Sequence, residues 1–262
     1  MKHIPNFLTI CNLICGCLAI VSVLSAPSYL NTVNFETFYP VIGVNQMVWG
    51  SVFIGIAALF DMLDGMAARV LNAHSYIGKD LDSLADVVSF GVAPSMIMYQ
   101  LLWSAYMAEP GAMDMPMLVY VPAFALAAFA ALRLARFNQT NTDQRFYFKG
   151  MPVPATGILV ASLPLMMIFE PSFSGFLSNR WALYGIVAIL CYFMVSNHKF
   201  LKWKSSGSGL KAWWPQILIA VTFGVAYVFV GIVAVLVAFV VYVLLAFFLK
   251  HDNTLVGEEM KH

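Results

Sequence analysis

Four aspartates, Asp61, Asp64, Asp82 and Asp86, crowd into the stretch "FDMLDGMAARVLNAHSYIGKDLDSLADVVSFG" of a 262-residue chain that is 10% charged and 61% hydrophobic. Asp61 and Asp64 are three positions apart, and Asp82 and Asp86 four apart, so each pair shares one face of a helix. A short connection turns the two helices into an antiparallel hairpin and brings the four carboxylates together. Asp80 is two positions from Asp82, faces elsewhere, and suits solvent or a helix start. Four carboxylates in a low-dielectric space repel one another and lose hydration. A hydrogen-bond network between two helices is the bland alternative, but intramembrane charge is costly and by default marks function. A divalent cation supplies the missing compensation. All-oxygen ligands suit Mg²⁺ or Mn²⁺, with Ca²⁺ possible, and two metals bridged by carboxylates suit phosphoryl chemistry. Gly65 and Ala68 lie about one turn apart beside these acids. They either open a slot for a flat ring or serve helix packing. Arg69 has the chemistry to pair with a phosphate or with one of the aspartates.

The elements that carry these residues are membrane helices. Mean hydropathy is +0.81, and apolar runs of roughly 17–22 residues recur, where about 20 cross a bilayer core. Such runs are too long and too even for the strands of an outer-membrane barrel. The expectation is an all-α integral membrane protein, one domain over 1–262 with a catalytic core at about 1–200. About eight transmembrane helices are expected, near 6–26, 43–62, 82–104, 117–137, 152–170, 181–197, 213–229 and 231–249. The first apolar run resembles a signal peptide in its flank, but its length favours a span. The run 213–250 is too long for one ordinary span and suits two short ones turning near Val230-Gly231.

Charge sets the orientation. With eight spans and both termini in the cytoplasm, Lys2, Arg69, Lys79, Arg133, Arg136, Arg145, Lys149, Lys199, Lys202, Lys204, Lys211, Lys250 and Lys261 lie inside and Arg180 alone lies outside. Glu36, Glu109, Asp114 and Glu170 fall in external loops. This is the positive-inside asymmetry, and it places the acids near the cytoplasmic face of the membrane. "KWKSSGSGLK" at 202–211 reads as a flexible basic loop among anionic headgroups. Basic residues scattered over several loops without interleaved aromatics leave no nucleic-acid footprint. Cys11, Cys15, Cys17 and Cys191 match no metal-cluster spacing and read as small packing residues.

The acid pattern Asp61-x2-Asp64-Gly65-x2-Ala68-Arg69-x8-Gly78-x3-Asp82-x3-Asp86 resembles the signature of the CDP-alcohol phosphatidyltransferases at every fixed position. "IPNFLTICNLICG", "DSLADVVSFGVAPS", "RLARFN" at 133–138 and "FKGMPVPATG" at 148–157 resemble the membrane-embedded serine-using branch of that family. The resemblance implies transfer of a phosphatidyl group from CDP-diacylglycerol to L-serine with release of CMP. It implies two bound divalent cations held by Asp61, Asp64 and Asp82, with Asp86 bridging them and acting as general base. Gly65, Ala68 and Gly78 would accept the cytidine. A homodimer is typical of the family, and the lack of an organelle signal points to a bacterial cell membrane.

Direct in-line attack is expected, since His74 is the only histidine near the motif and no nucleophile–base pair is evident. The serine carboxylate, or a phosphate, needs a cation. Arg133, Arg136 or Lys149 is expected to supply it, with Asn138 helping. Arg133 and Arg136 are expected to share a helix face, although ordinary positive-inside charge would also explain them. Asn6, Thr9 and Asn12 line one face of the first span and either reach the diphosphate or bond neighbouring helices. Two other readings compete with this one. A relative using glycerol 3-phosphate or inositol phosphate would want a denser basic pocket. A divalent-cation transporter would spread its acids over several helices at midplane.

Overall fold

The computed structural model describes residues 4–26, 28–33, 37–71, 76–107, 115–139, 147–201 and 210–248. Helix α1 (Ile4–Leu24) is followed by a two-stranded antiparallel ladder, β1 (Ser28–Val33) with β2 (Thr37–Ile42), in which Ser28 pairs with Ile42. Helix α2 (Val44–Val70) returns along α1. Next comes α3 (Tyr76–Asp86), which runs through a π-helical segment at Val87–Val92 into α4 (Ala93–Met107). A 3₁₀ segment, Met117–Phe124, leads into α5 (Ala125–Gln139). Strand β3 (Tyr147–Lys149) precedes α6 (Val153–Phe169), and a short 3₁₀ turn and α7 (Ser174–Leu177) lead to α8 (Arg180–Val195). Strand β4 (Lys199–Leu201) pairs antiparallel with β3. Helix α9 (Leu210–Val230) and α10 (Ala234–Phe248) are joined by a 3₁₀ turn, Gly231–Val233.

Five of these helical stretches are long and apolar enough to cross a membrane: Ile4–Leu24, Val44–Val70, Ile77–Met107, Met117–Gln139 and Gln216–Ala246. Val153–Phe169 and Arg180–Val195 are shorter apolar helices. The stretch Gln216–Ala246 is not one straight rod. Gly231 adopts φ +55°, a left-handed conformation that glycine takes at no steric cost, and α9 and α10 fold back on each other. The turn falls at the position that the length of the apolar run suggests.

The third helix begins earlier than hydropathy implies. The sequence predicts a span from about 82, whereas α3 starts at Tyr76 and takes Gly78 into a helix instead of a loop. Lys79 and Asp80 are exposed there, so the segment is helical but too polar for a window of apolar residues to register. α6 sits deepest, burying Val153, Thr156, Gly157, Val160, Leu163 and Met166 among its residues. Close approach accounts for its single glycine. A Cβ at Gly157 would stand 2.9 Å from the Phe90 Cβ in the π-helical segment. Gly150, at φ +78°, lets the chain leave β3 and pack onto the end of α8, where its N–H donates to the His198 carbonyl at 3.0 Å and Met151 N–H donates to Phe193 at 3.0 Å.

Candidate active site

Helices α2 and α3 bring the acids together, and α1 packs against both. One carboxylate oxygen from each of Asp61, Asp64 and Asp82 lies within 4.8 Å of the other two. Asp64 is buried, and the Thr9 hydroxyl on α1 donates to its Oδ2 at 2.8 Å. Asp86 is buried at the end of α3, and the Asn12 side-chain amide donates to its Oδ1 at 3.3 Å. Asp86 also feels the charges of Asp61, Asp82 and Asp64. The π-helical turn that follows Asp86 inserts an extra residue into the helical repeat, a distortion common at functional sites. Its buried Ser89 donates to the Asn12 backbone carbonyl at 3.0 Å, which ties the segment to α1.

Asp61, Asp82 and Asp86 face a cavity of about 570 Å³. Arg133 of α5, 7% exposed, and Asn138 line the same cavity. The Asn138 side-chain amide donates to the Ser83 hydroxyl at 2.8 Å, and the Asn138 backbone carbonyl accepts from Lys79 at 3.3 Å. These bonds fasten the end of α5 to α3. The rest of the wall is largely apolar, with Ile158 and Leu159 from α6, Ile219 from α9 and Phe239 from α10.

The donor set fits a divalent cation. It is all carboxylate oxygen, the chemistry that hard cations select. One oxygen, Asp82 Oδ1, is buried with no hydrogen-bond partner, a costly state for an anionic atom unless a cation faces it. The Asn12 Oδ1 is likewise buried without a partner.

Other residues singled out by sequence fall around this centre rather than in it. Gly65 and Ala68 are partly buried on α2, and a Cβ at Gly65 would meet nothing within 4 Å, so open space lies beside the acids there. Arg69 and Arg136 are exposed, as is Asp80. Arg133 and Arg136, read from their spacing as one face, are thus divided between cavity and surface. Asn6 is half-buried on the α1 face that carries Thr9 and Asn12. The latter two reach aspartates. Lys149 is a strand residue whose side chain, like Arg145 and His74, lies outside the described parts. Lys79, Ser83 and Tyr242 also line the cavity. The helical spacing of Lys79 and Ser83 with Asp82 and Asp86 was a usable signal for the first two, and none pointed to Tyr242.

Residues 2–195 match the family model for CDP-alcohol phosphatidyltransferases. The chain belongs to that family. A Helicobacter pylori (strain J99) protein named CDP-diacylglycerol–serine O-phosphatidyltransferase is 35% identical over 168 residues, covering 63% of this chain and 66% of the relative. A Bacillus subtilis protein of the same name is 35% identical over 204 residues, 78% of this chain and 93% of the relative. A Saccharomyces cerevisiae protein, again so named, is 33% identical over 174 residues, 62% of this chain and 53% of the relative. The chain therefore spans about two thirds of the Helicobacter relative's length and about half of the yeast relative's. The acid signature and the helices that hold it, α1 to α5, all fall within the matched residues, whereas α9 and α10 lie beyond them.

Proposed function

We propose that this chain transfers the phosphatidyl group of CDP-diacylglycerol to the hydroxyl of L-serine, releasing CMP. The observation that carries the reading is the meeting, in one cavity, of three of the acids, Asp61, Asp82 and Asp86, with the buried guanidinium of Arg133. The names of the relatives support serine as the acceptor.

Two divalent cations, Mg²⁺ or Mn²⁺, held by Asp61, Asp64, Asp82 and Asp86, would supply neutralisation of the diphosphate and of the departing phosphate. Asp86 takes the proton from the serine hydroxyl as that oxygen attacks the phosphorus bearing the diacylglycerol. The new serine oxygen–phosphorus bond forms as the bond to CMP breaks, with no covalent enzyme intermediate. Arg133 holds the serine carboxylate through its forked N–H donors. Burial strengthens that contact, because it replaces water by low-dielectric protein. Thr9 and Asn12 fix Asp64 and Asp86 from α1. The open space at Gly65, with Ala68 and Gly78, accepts the cytosine ring, and Arg69 sits beside it for a phosphate.

The same reading places eight spans in a cytoplasmic membrane, with both termini inside and the site near the cytoplasmic face. The exposed Arg69, Lys79 and Arg136 near the acids support it, as does Arg180 at the start of α8.

An acceptor panel tests the proposal. Purified protein in liposomes receives CDP-diacylglycerol and Mn²⁺, then serine, glycerol 3-phosphate, inositol or inositol phosphate separately. CMP release with serine alone, abolished by Asp86→Asn, is the expected result. CMP release with a phosphorylated alcohol alone would overturn the serine assignment.

A further inference from the structure

Part of the cavity lining comes from a stretch of the chain that the family match does not reach. Residues Ile219 of α9 and Val235, Ala238, Phe239 and Tyr242 of α10 form a wall of the cavity that the acids also line. Four of these five are hydrocarbon side chains or small apolar ones. Tyr242 is the exception, and it is the wall's one polar group. Its ring packs on Phe200, with centroids 5.7 Å apart and planes inclined by 32°. Phe200 is fully buried in β4, where it also meets Phe193 edge-on at 6.2 Å. Two aromatic contacts and the β3–β4 ladder thus hold the Tyr242 ring against the floor of the cavity, and two dihedral angles fix where its hydroxyl sits. Arg133 shares that cavity and lies within electrostatic reach of both Tyr242 and Asp86. The Phe137 ring centroid lies 6.0 Å from the Arg133 guanidinium carbon.

A buried guanidinium on a long side chain has many rotamers, and binding an acceptor anion requires that one of them be held. Hydrocarbon walls cannot hold it by hydrogen bonding. A phenol fixed by stacking can.

We propose that Tyr242 is a positioning residue, through which the C-terminal hairpin α9–α10 holds Arg133 in the orientation that receives the acceptor's anionic group. The inference rests on the reading of Arg133 as the acceptor-binding cation. It adds that acceptor affinity depends on a helix outside the region that defines the family. It also assigns the hairpin a role at the site in addition to spanning the membrane.

The test compares Tyr242→Phe, Arg133→Lys and the double variant in liposomes, following CMP release while serine, glycerol 3-phosphate and inositol phosphate are each varied. Tyr242→Phe keeps the ring, its stacking on Phe200 and the apolar wall, and removes only the hydroxyl. For whichever acceptor the wild type uses, the variant is expected to raise KM about ten-fold, the usual scale for a hydrogen bond to a charged group. The KM for CDP-diacylglycerol and kcat should move far less. In the double variant the two effects should not add, because one acts through the other. A KM for the acceptor equal to that of the wild type in Tyr242→Phe overturns the proposal, and so does full additivity. If Tyr242→Ala then raises both substrates' KM and lowers Tm, the residue is only wall. A wild type that takes a phosphorylated alcohol instead of serine defeats the proposed function, yet the Tyr242→Phe effect on that acceptor would still uphold this inference. CMP release with none of the three acceptors would defeat both.

Discussion

The Thr9 hydroxyl lies 2.8 Å from Asp64 Oδ2 and 3.0 Å from the Pro5 carbonyl, and it has one hydrogen to give. The ionised carboxylate is the stronger acceptor, so the hydrogen orients Asp64 toward its neighbours on α2 and α3. Groups that orient a metal ligand typically contribute 10–100-fold in metal affinity or activity. Thr9→Val keeps the shape and removes the donor. The Mn²⁺ concentration for half-maximal CMP release should rise about ten-fold, and saturating Mn²⁺ should restore most of the rate. A variant that stays slow at any metal concentration would mean that Thr9 acts elsewhere.

Asn12 holds the proposed base. Its amide donates to Asp86, and its carbonyl accepts from Ser89 in the π-helical turn next to that base. Asn12→Leu removes the side-chain bond and leaves the backbone one. Misplacing a general base costs rate more than binding, so kcat should fall on the order of ten-fold or more, with the KM for CDP-diacylglycerol nearly kept. Equal loss in both parameters would point to a wider distortion of α1.

The crowding of acids makes a stability prediction of opposite sign with and without metal. Asp61, Asp64 and Asp82 repel one another, and Asp82 Oδ1 is buried without a hydrogen-bond partner. In EDTA, Asp82→Asn removes one of these charges and should raise Tm by a few degrees, about what 1 kcal/mol gives a protein of this size. Adding Mn²⁺ reverses the order. At roughly 100 times its Kd a ligand contributes about 2.7 kcal/mol, which the wild type gains and the variant loses. Thermal unfolding in detergent, with and without metal, reads both effects. A variant less stable in EDTA would show that the cluster is a hydrogen-bond network that does not need a cation.

Much of the acid site was legible because spacing alone fixes a helix face: Asp61 with Asp64, and Asp82 with Asp86, needed no tertiary information. The turn at Gly231 was legible for a similar reason, since the length of an apolar run is a one-dimensional quantity. Arg133 and Arg136 were not resolved. Three positions leave two side chains about 60° apart around a helix, and the edge of a cavity runs between them. That edge is set by α6 and α10, distant in sequence. The early start of α3 hid behind its charge, because hydropathy finds spans and not helices. The π-helical turn leaves no pattern in "VVSFGV" that a periodicity of 3.6 would flag. Tyr242 could not be found from sequence, because its place depends on the α9–α10 hairpin folding back onto β4.

The tight approach of α6 to the π-helical segment gives a last prediction. A Cβ at Gly157 would stand 2.9 Å from Phe90 Cβ and 3.0 Å from its Cα, and Phe90 is 1% exposed with no room to retreat. Overpacking of this kind costs about 1–3 kcal/mol. The strain falls four residues after Asp86, so Gly157→Ala should lower both Tm and kcat, although the position lines no part of the acid cluster. Gly185 on α8 is the matched control: a Cβ there meets nothing within 4 Å. Gly185→Ala replaces a poor helix former by the best one and should leave stability equal or raise it, by up to about 1 kcal/mol. Unfolding midpoints and CMP release measured side by side check the pair. If the two variants behave alike, the packing of α6 on the π-helical segment is looser than the distances indicate, and the placement of Asp86 does not depend on it.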